Sequence, residues 1–170
     1  LLVALGGDDR PVREAICRRF AAQGLLGERV DVTGRKPLRG FLELLQAVDI
    51  ALDPFPYSGG TTSLHTLWMG VPIIAMEGES ELSKSTSGML RAAGAPELVT
   101  QTPEGYITTA IRLAENADAL AYLRQNLRDD IARAPILQGQ EVVRSLEESY
   151  REMWRTWCVQ KCPAGSASGA

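Results

Sequence analysis

Histidine occurs once in this chain of 170 residues and cysteine three times, and neither sign of charge dominates: 18 Lys and Arg stand against 21 Asp and Glu, a formal charge of −3. Each scarcity excludes something. Cys17, Cys158 and Cys162 are too few and too scattered for a disulfide framework, and with His65 as the sole histidine no zinc-binding set is expected. A reduced, cytoplasmic setting is the expectation. The mixed charges leave no electrostatic footprint for nucleic acid or anionic lipid, so neither partner is expected and any anion must be held locally. No run of about 18 apolar residues occurs, so no membrane-spanning helix is expected. No Gly-Lys-Ser or Gly-Lys-Thr is present, and no Gly-x-Gly-x-x-Gly follows a strand, which argues against a Walker-type NTPase and against dinucleotide redox chemistry. The chain opens on "LLVALGG" with neither an initiator methionine nor a charged segment ahead of an apolar one. It reads as a piece that begins inside a strand, not as a signal peptide.

What is present is apolar residue, 45% of the chain, enough for one substantial core. Short apolar runs alternate with longer segments of helical period, the pattern of βα units around a parallel sheet. Strands are expected at Leu1 to Leu5, Arg29 to Val32, Asp49 to Leu52, Pro72 to Met76 and Glu97 to Val99. Helices are expected at Arg10 to Gln23, Pro37 to Ala47, Thr62 to Met69, Ser83 to Ala93 and Pro103 to Asn116. The fold class that follows is α/β, a Rossmann-like parallel sheet buried on both faces by helices.

From Ala117 the strand signals stop. Two further helices are expected, Ala117 to Arg133 and Gln140 to Cys158, separated by "APILQG". In the second, Val142, Val143, Leu146, Tyr150, Met153, Trp154 and Trp157 form one apolar stripe opposite Arg144, Glu148, Arg151 and Arg155. That stripe is expected to lie on the chain's own sheet, with a partner domain as the alternative. Residues 1–158 are expected to form one domain, and the small, polar segment 159–170 a disordered tail.

The stretch "DPFPYSGGTTSLHTLWMGVP", residues 53–72, concentrates the chain's unusual chemistry. It leaves a strand at its carboxyl end, where open parallel sheets bind ligands. Pro54 and Pro56 end ladder pairing. Gly59 and Gly60 permit positive φ and close approach of a ligand, and Thr61 or Thr62 is expected to supply an N-cap. The helix that follows points unpaired amides and the positive end of its dipole outward, which suits a phosphate. Spacing alone leaves two readings open, a plain turn with a cap or an anion site. His65 falls one turn into the helix, where a structural histidine is the commoner case and a ligand-facing one the alternative. Asp53 is expected to bond the loop backbone, with a ligand hydroxyl second. Gly70 closes the helix before Val71 and Pro72 open the next strand.

The segment "DIALDPFPYSGGTTSLHTLWMGVPIIAM" resembles the C-terminal lobe of the O-linked N-acetylglucosamine transferase family, two-lobed GT-B glycosyltransferases. "RAAGAPELVT", "YITTAIRLAENADALAYLRQNLRDDIARAP" and "LEESYREMWRTW" follow in that family's order, so the likeness runs from Leu1 to Cys158. It implies a nucleotide-sugar-binding lobe of an inverting enzyme that transfers N-acetylglucosamine from UDP-GlcNAc to protein Ser or Thr. The donor diphosphate would rest on Gly59, Gly60, Thr61 and Thr62 with His65 near the ribose, and no cofactor or metal would be needed, the leaving group being held by amides and side chains. Three positions depart from the family pattern. Phe41 stands where a histidine packs at the nucleoside, His65 where an acidic residue or cysteine is common, and Lys84 in "SK" where an arginine follows serine, keeping charge without the bidentate fork. Phe41, Asp53 and Lys84 are therefore expected as donor-side support. The family's diphosphate-contacting lysine precedes the strand corresponding to Leu1 to Leu5, and its acceptor-side groups come from an N-terminal lobe. No catalytic residue is assigned within this chain, and it is expected to be inactive alone. Partners implied are a UDP-sugar, a protein acceptor and that N-terminal lobe. Two alternatives stay open: a related lobe that transfers a UDP-hexose to asparagine, and a degenerate lobe that serves as an interaction module.

Overall fold

The computed structural model describes residues 2–4, 10–25 and 27–161. Among the described residues five short strands, all parallel, alternate with helices. Strand β1 (Leu2–Ala4) pairs with β2 (Asp31–Thr33), Leu2 opposite Asp31. Strand β4 (Ile73–Met76) lies between β3 (Ala51–Leu52) and β5 (Val99–Thr100), with Ala51 opposite Ile73 and Ala75 opposite Val99. Among the described residues the two ladders are separate, where sequence periodicity suggests one sheet. The helices are α1 (Arg10–Ala22), α2 (Leu38–Leu45), α3 (Thr61–Trp68), α4 (Ser85–Ala92), α5 (Pro103–Glu115), α6 (Ala117–Arg133) and α7 (Gly139–Lys161).

The core forms around β4, whose Ile73, Ile74 and Ala75 are all buried, as a central parallel strand covered on both faces requires. Leu67 of α3, Met89 and Leu90 of α4, Leu113 of α5, and Leu127 and Ile131 of α6 complete the cluster. None of it comes from α1, which has no buried residue.

Several boundaries differ from expectation, each for a local reason. Strand β3 starts at Ala51 and not at Asp49, because Arg124 of α6 donates to the carbonyls of Val48 and Asp49 and holds them away from the ladder. Residues Pro96–Leu98 form a 3-10 turn with proline at its start, so β5 is delayed to Val99. Glu81–Ser83 make a second such turn, capped by Ser80, and α4 begins only at Ser85.

Helix α3 ends as the sequence indicates. Gly70 has φ of 74°, its N–H donates to Leu67 O (2.9 Å), and the Val71 N–H donates to Thr66 O (3.1 Å), the paired bonds of a Schellman end. A side chain at Gly70 is excluded twice over, since a Cβ there would lie 2.7 Å from the Arg124 carbonyl oxygen. Close approach of α6 also brings the Arg128 guanidinium over the Trp68 ring at 5.1 Å.

The expectation for α7 is corrected. It has no buried residue and packs chiefly on the Pro135–Leu137 turn, while Val142, Val143, Leu146, Tyr150, Met153, Trp154 and Trp157 all stay exposed, the two tryptophans stacked 5.2 Å apart. The stripe does not lie on the chain's own sheet. The helix also runs through Val159, Gln160 and Lys161, three residues expected in a disordered tail; their backbone continues the same hydrogen-bonded spiral. Cys162 and the rest of "CPAGSASGA", like Leu1 and Leu5, lie outside the described residues.

Because Leu90 is fully buried, Leu90→Ala should lower unfolding stability by about 2 to 5 kcal/mol, while Leu82→Ala, at an exposed position, should change it by less than about 0.5 kcal/mol. Urea unfolding followed by circular dichroism reads both.

Candidate functional site

The chain leaves β3 at Leu52, runs through residues 53–60 and enters α3, so the loop occupies the carboxyl end of the sheet. Asp53 is its centre. The side chain is 5% exposed, and its Oδ1 accepts from the Gly59 N–H (3.0 Å) and lies 2.8 Å from Thr86 Oγ1, while Oδ2 accepts from Ser58 Oγ (2.7 Å). From behind, the Tyr106 hydroxyl on α5 donates to the Asp53 carbonyl oxygen (2.9 Å). Burial first, and the Asp53 charge second, push the Tyr106 hydroxyl up to about 12, so it remains a donor throughout the neutral range. A buried carboxylate is tolerated only when its lone pairs are met, and here each oxygen has at least one donor. The expectation that Asp53 serves the loop backbone holds.

The loop glycines do something different from what their composition suggests. Neither Gly59 nor Gly60 has positive φ. Gly59 is needed for space: a Cβ there would sit 2.1 Å from Ser63 Oγ and 3.2 Å from Asp53 Oδ1. Gly60 is the N-cap of α3, its carbonyl accepting from the Leu64 N–H (3.1 Å). This corrects the expected cap at Thr61 or Thr62. Both threonines fall inside the first turn and are exposed, and no side chain caps the helix. By contrast Thr102 caps α5 at the Gly105 N–H (3.1 Å), Asn116 caps α6 at Ala119 (3.0 Å), and Ser58 of the loop accepts from the Thr86 N–H (3.0 Å) in the first turn of α4. The first amides of α3 are left without a side-chain cap, with exposed threonine hydroxyls beside them, an arrangement of donors at the positive end of a helix dipole.

The other expected residues gather around this rim. His65, half-buried, faces Phe41 from α2 with ring centroids 6.5 Å apart and planes inclined at 58°. Lys84 immediately precedes α4, next to the loop, with its Nζ 3.1 Å from Glu81 Oε1. The Ser58 N–H donating to Leu82 O (3.2 Å) joins that segment to the loop. The structure thus brings Asp53, Gly59 and Gly60 into one loop with Thr61 and Thr62 in the helical turn that follows, pairs His65 with Phe41, and sets Lys84 on the neighbouring turn.

Sequence reasoning missed Ser58, Ser63, Thr86 and Tyr106. A signal existed for Thr86: "SKSTSGML" places hydroxyl residues on the side of α4 that must face the core, where a buried polar group has to find partners. Among the described residues no group of three or more His, Cys, Asp or Glu is arranged to hold a metal, and no helix is long and apolar enough to cross a membrane.

The model of glycosyl transferase family 41 matches residues 13–146, most of the chain. The chain belongs to that family. Among curated relatives, the probable UDP-N-acetylglucosamine peptide N-acetylglucosaminyltransferase SPINDLY of Petunia hybrida is 33% identical over 154 residues, which make up 90% of this chain and 16% of the relative. The UDP-N-acetylglucosamine peptide N-acetylglucosaminyltransferase of Caenorhabditis elegans is 31% identical over 112 residues, 66% of this chain and 10% of that one. A solved structure of a mutant O-GlcNAc transferase from Thermobaculum terrenum superposes with a TM-score of 0.82 at 38% identity, covering 91% of this chain and 30% of the other. The family 41 chain therefore spans a small part of these relatives, and its fold is that of one lobe of the O-GlcNAc transferase, the GT-B lobe expected from its sequence.

Helix α4 of the family 41 chain is fastened to the sheet by a bidentate pair. Arg91 Nη1 and Nη2 each lie 2.7 Å from a Glu77 carboxylate oxygen, and Gln101 Nε2 donates to the same carboxylate (2.9 Å). The Arg91 hydrogen bonds, outweighing desolvation, hold the Glu77 carboxyl at about 2 against an ordinary 4.5. A depressed acid stabilises the fold above its unfolded value and loses that contribution as pH falls through its folded one. The stability difference between the native chain and Glu77→Gln should therefore be fully present above pH 4.5, about 1 kcal/mol for a pair that is partly solvated, and vanish as pH approaches 2. Urea unfolding across that range measures it.

Proposed function

We propose that this chain is the nucleotide-sugar-binding lobe of an inverting, metal-independent glycosyltransferase that transfers N-acetylglucosamine from UDP-GlcNAc to protein Ser or Thr. The carrying observation is the uncapped start of α3 at the carboxyl end of β3, in a chain of glycosyl transferase family 41. The donor diphosphate rests on the Gly59 to Thr62 segment, taking the amides of Gly60, Thr61 and Thr62 and the two threonine hydroxyls, while the Gly59 N–H stays on Asp53 Oδ1. When the bond from the sugar C1 to the β-phosphate oxygen breaks, charge grows on that oxygen, and donors already fixed in place stabilise it without reorganising. Lys84 adds a cation at the neighbouring turn. Phe41 and His65, facing each other across α2 and α3, take the nucleoside side, Phe41 stacking on the base and His65 near the ribose.

In this reading the acceptor is a separate protein, and the groups that hold it and activate its hydroxyl belong to an N-terminal lobe of the same chain as the donor lobe, set in the cytoplasm. The lobe described here supplies donor binding and leaving-group stabilisation, and by itself does not turn over. The names of the Petunia relative, a probable UDP-N-acetylglucosamine peptide N-acetylglucosaminyltransferase, and of the Caenorhabditis relative, a UDP-N-acetylglucosamine peptide N-acetylglucosaminyltransferase, support that donor and acceptor class.

Titration of the chain with UDP, UDP-GlcNAc, UDP-glucose and GDP, followed by amide chemical shifts, tests the proposal. Shifts are expected at Gly59, Gly60, Thr61 and Thr62 with UDP and UDP-GlcNAc, and Thr61→Ala/Thr62→Ala should weaken UDP binding about a hundredfold, the loss of two hydrogen bonds to a charged group at about 1.5 kcal/mol each. Shifts confined to other residues, or GDP binding more tightly than UDP, would sink the reading, and UDP-glucose outcompeting UDP-GlcNAc would favour a hexosyl donor.

A further inference from the structure

Thr86 is fully buried, so it cannot touch a donor, yet it meets the loop at four atoms. Its Oγ1 lies 2.8 Å from Asp53 Oδ1, 2.8 Å from Ser58 Oγ, 2.9 Å from Ser63 Oγ and 3.1 Å from the Gly59 carbonyl oxygen. Its own N–H donates to Ser58 Oγ. One hydroxyl has one proton, so these contacts are directional. An assignment that follows the shortest contacts satisfies the buried set: Thr86 Oγ1–H donates to Asp53 Oδ1, Ser58 Oγ–H to Asp53 Oδ2 and the Gly59 N–H to Asp53 Oδ1, and with the Thr86 proton so committed the Ser63 hydroxyl is the donor of the Ser63–Thr86 pair. In that arrangement Thr86 is the one hydroxyl that gives to the carboxylate while accepting from the first turn of α3. Ser63 has a longer route to the same carboxylate (3.4 Å), which makes the Thr86 oxygen its nearer partner.

We propose that Thr86 is a positioning residue for the donor loop: from α4 it locks Asp53, Ser58, Gly59 and Ser63 into the shape that presents the Gly59 to Thr62 segment to the diphosphate. The affinity part of this inference rests on the reading of that segment as a diphosphate site; the loop-locking part does not. Removing the hydroxyl leaves the Thr86 side-chain volume in place but deprives Asp53 of a donor and Ser63 of an acceptor. The Gly59 N–H then has a less fixed partner, and the loop samples conformations in which its amides no longer converge.

The test compares Thr86→Val, nearly the same shape without the hydroxyl, with Thr86→Ser, which restores it, and with Thr100→Val. Thr100 is also buried and uses its hydroxyl on the Ala75 carbonyl oxygen (2.9 Å), on the far side of β4's register from the loop network. Three quantities are read on each: thermal midpoint, amide hydrogen exchange at Gly59, and UDP affinity. Thr86→Val should speed Gly59 exchange and weaken UDP binding, each by about tenfold, Thr86→Ser should stay within about twofold of the native chain, and Thr100→Val should lower the midpoint while leaving exchange at Gly59 and UDP affinity unchanged. Should Thr86→Val fail to fold, Ser58→Ala, which removes the donor to Asp53 Oδ2, should shift Gly59 exchange in the same direction. Native Gly59 exchange in Thr86→Val, or in Ser58→Ala if that variant has to serve, overturns the inference, as does an equal loss of affinity in Thr100→Val. If the native chain binds no UDP, the donor reading fails, and Gly59 exchange alone still decides whether Thr86 locks the loop.

Discussion

The Asp53 carboxylate is buried between β3, the loop that follows it and the start of α4, and it could not stay there unpaired. A lone carboxylate in such a place would cost several kcal/mol, so everything around it is arranged to donate. Ser58 donates from within the loop, Gly59 through its N–H, and Thr86 from α4, while Tyr106 on α5 fixes the backbone carbonyl of the same residue. These bonds draw the loop inward at one point, and the inward pull leaves room for no side chain at Gly59. The outward consequence is that the next residues, Gly60, Thr61 and Thr62, are turned to solvent as an uncapped helix start.

The rest of the lobe makes that constraint possible. Strand β4, buried from Ile73 to Ala75, fixes β3 on one side and β5 on the other, and so places Asp53 at the sheet's carboxyl end. Helix α3 is held from its far end, where Gly70 lets the backbone of α6 approach and Trp68 lies under Arg128. Helix α4 is held at Glu77 by Arg91, opposite the end where Thr86 enters the network. The loop is therefore anchored through three elements, and its own Asp53, Ser58 and Gly59 close on that frame.

How much of this was legible in the sequence follows from which interactions are local. The βα alternation and Gly70 as a helix end rest on short-range patterns and were readable. Strand β3 was read two residues too long because Arg124, 75 residues further on, takes the Asp49 carbonyl, and no window of sequence around Asp49 shows that. The threonine cap was misplaced for a similar reason: Asp53 pulls the Gly59 amide in, so the helix start falls at Gly60 and both threonines lie within the first turn. The stripe on α7 was read correctly as apolar and wrongly as covered, since periodicity reports a face and not what lies against it. Thr86, Ser63 and Tyr106 escaped because their roles exist only once residues 23, 10 or 53 positions apart are brought together.

The central claim is that the inward pull of Asp53 at Gly59 makes the donor surface. Gly59→Ala tests it most directly, because the added methyl meets Ser63 Oγ and Asp53 Oδ1, so that Ser63 turns out of the network or the loop moves outward while the β4 core is untouched. The measurement is UDP affinity, by calorimetry, of Gly59→Ala and of Gly59→Ala/Ser63→Ala, the second removing the oxygen that the new methyl strikes. The account predicts a loss of about tenfold or more in the single variant and a partial recovery in the double. Native affinity in Gly59→Ala, with the chain folded, would contradict it.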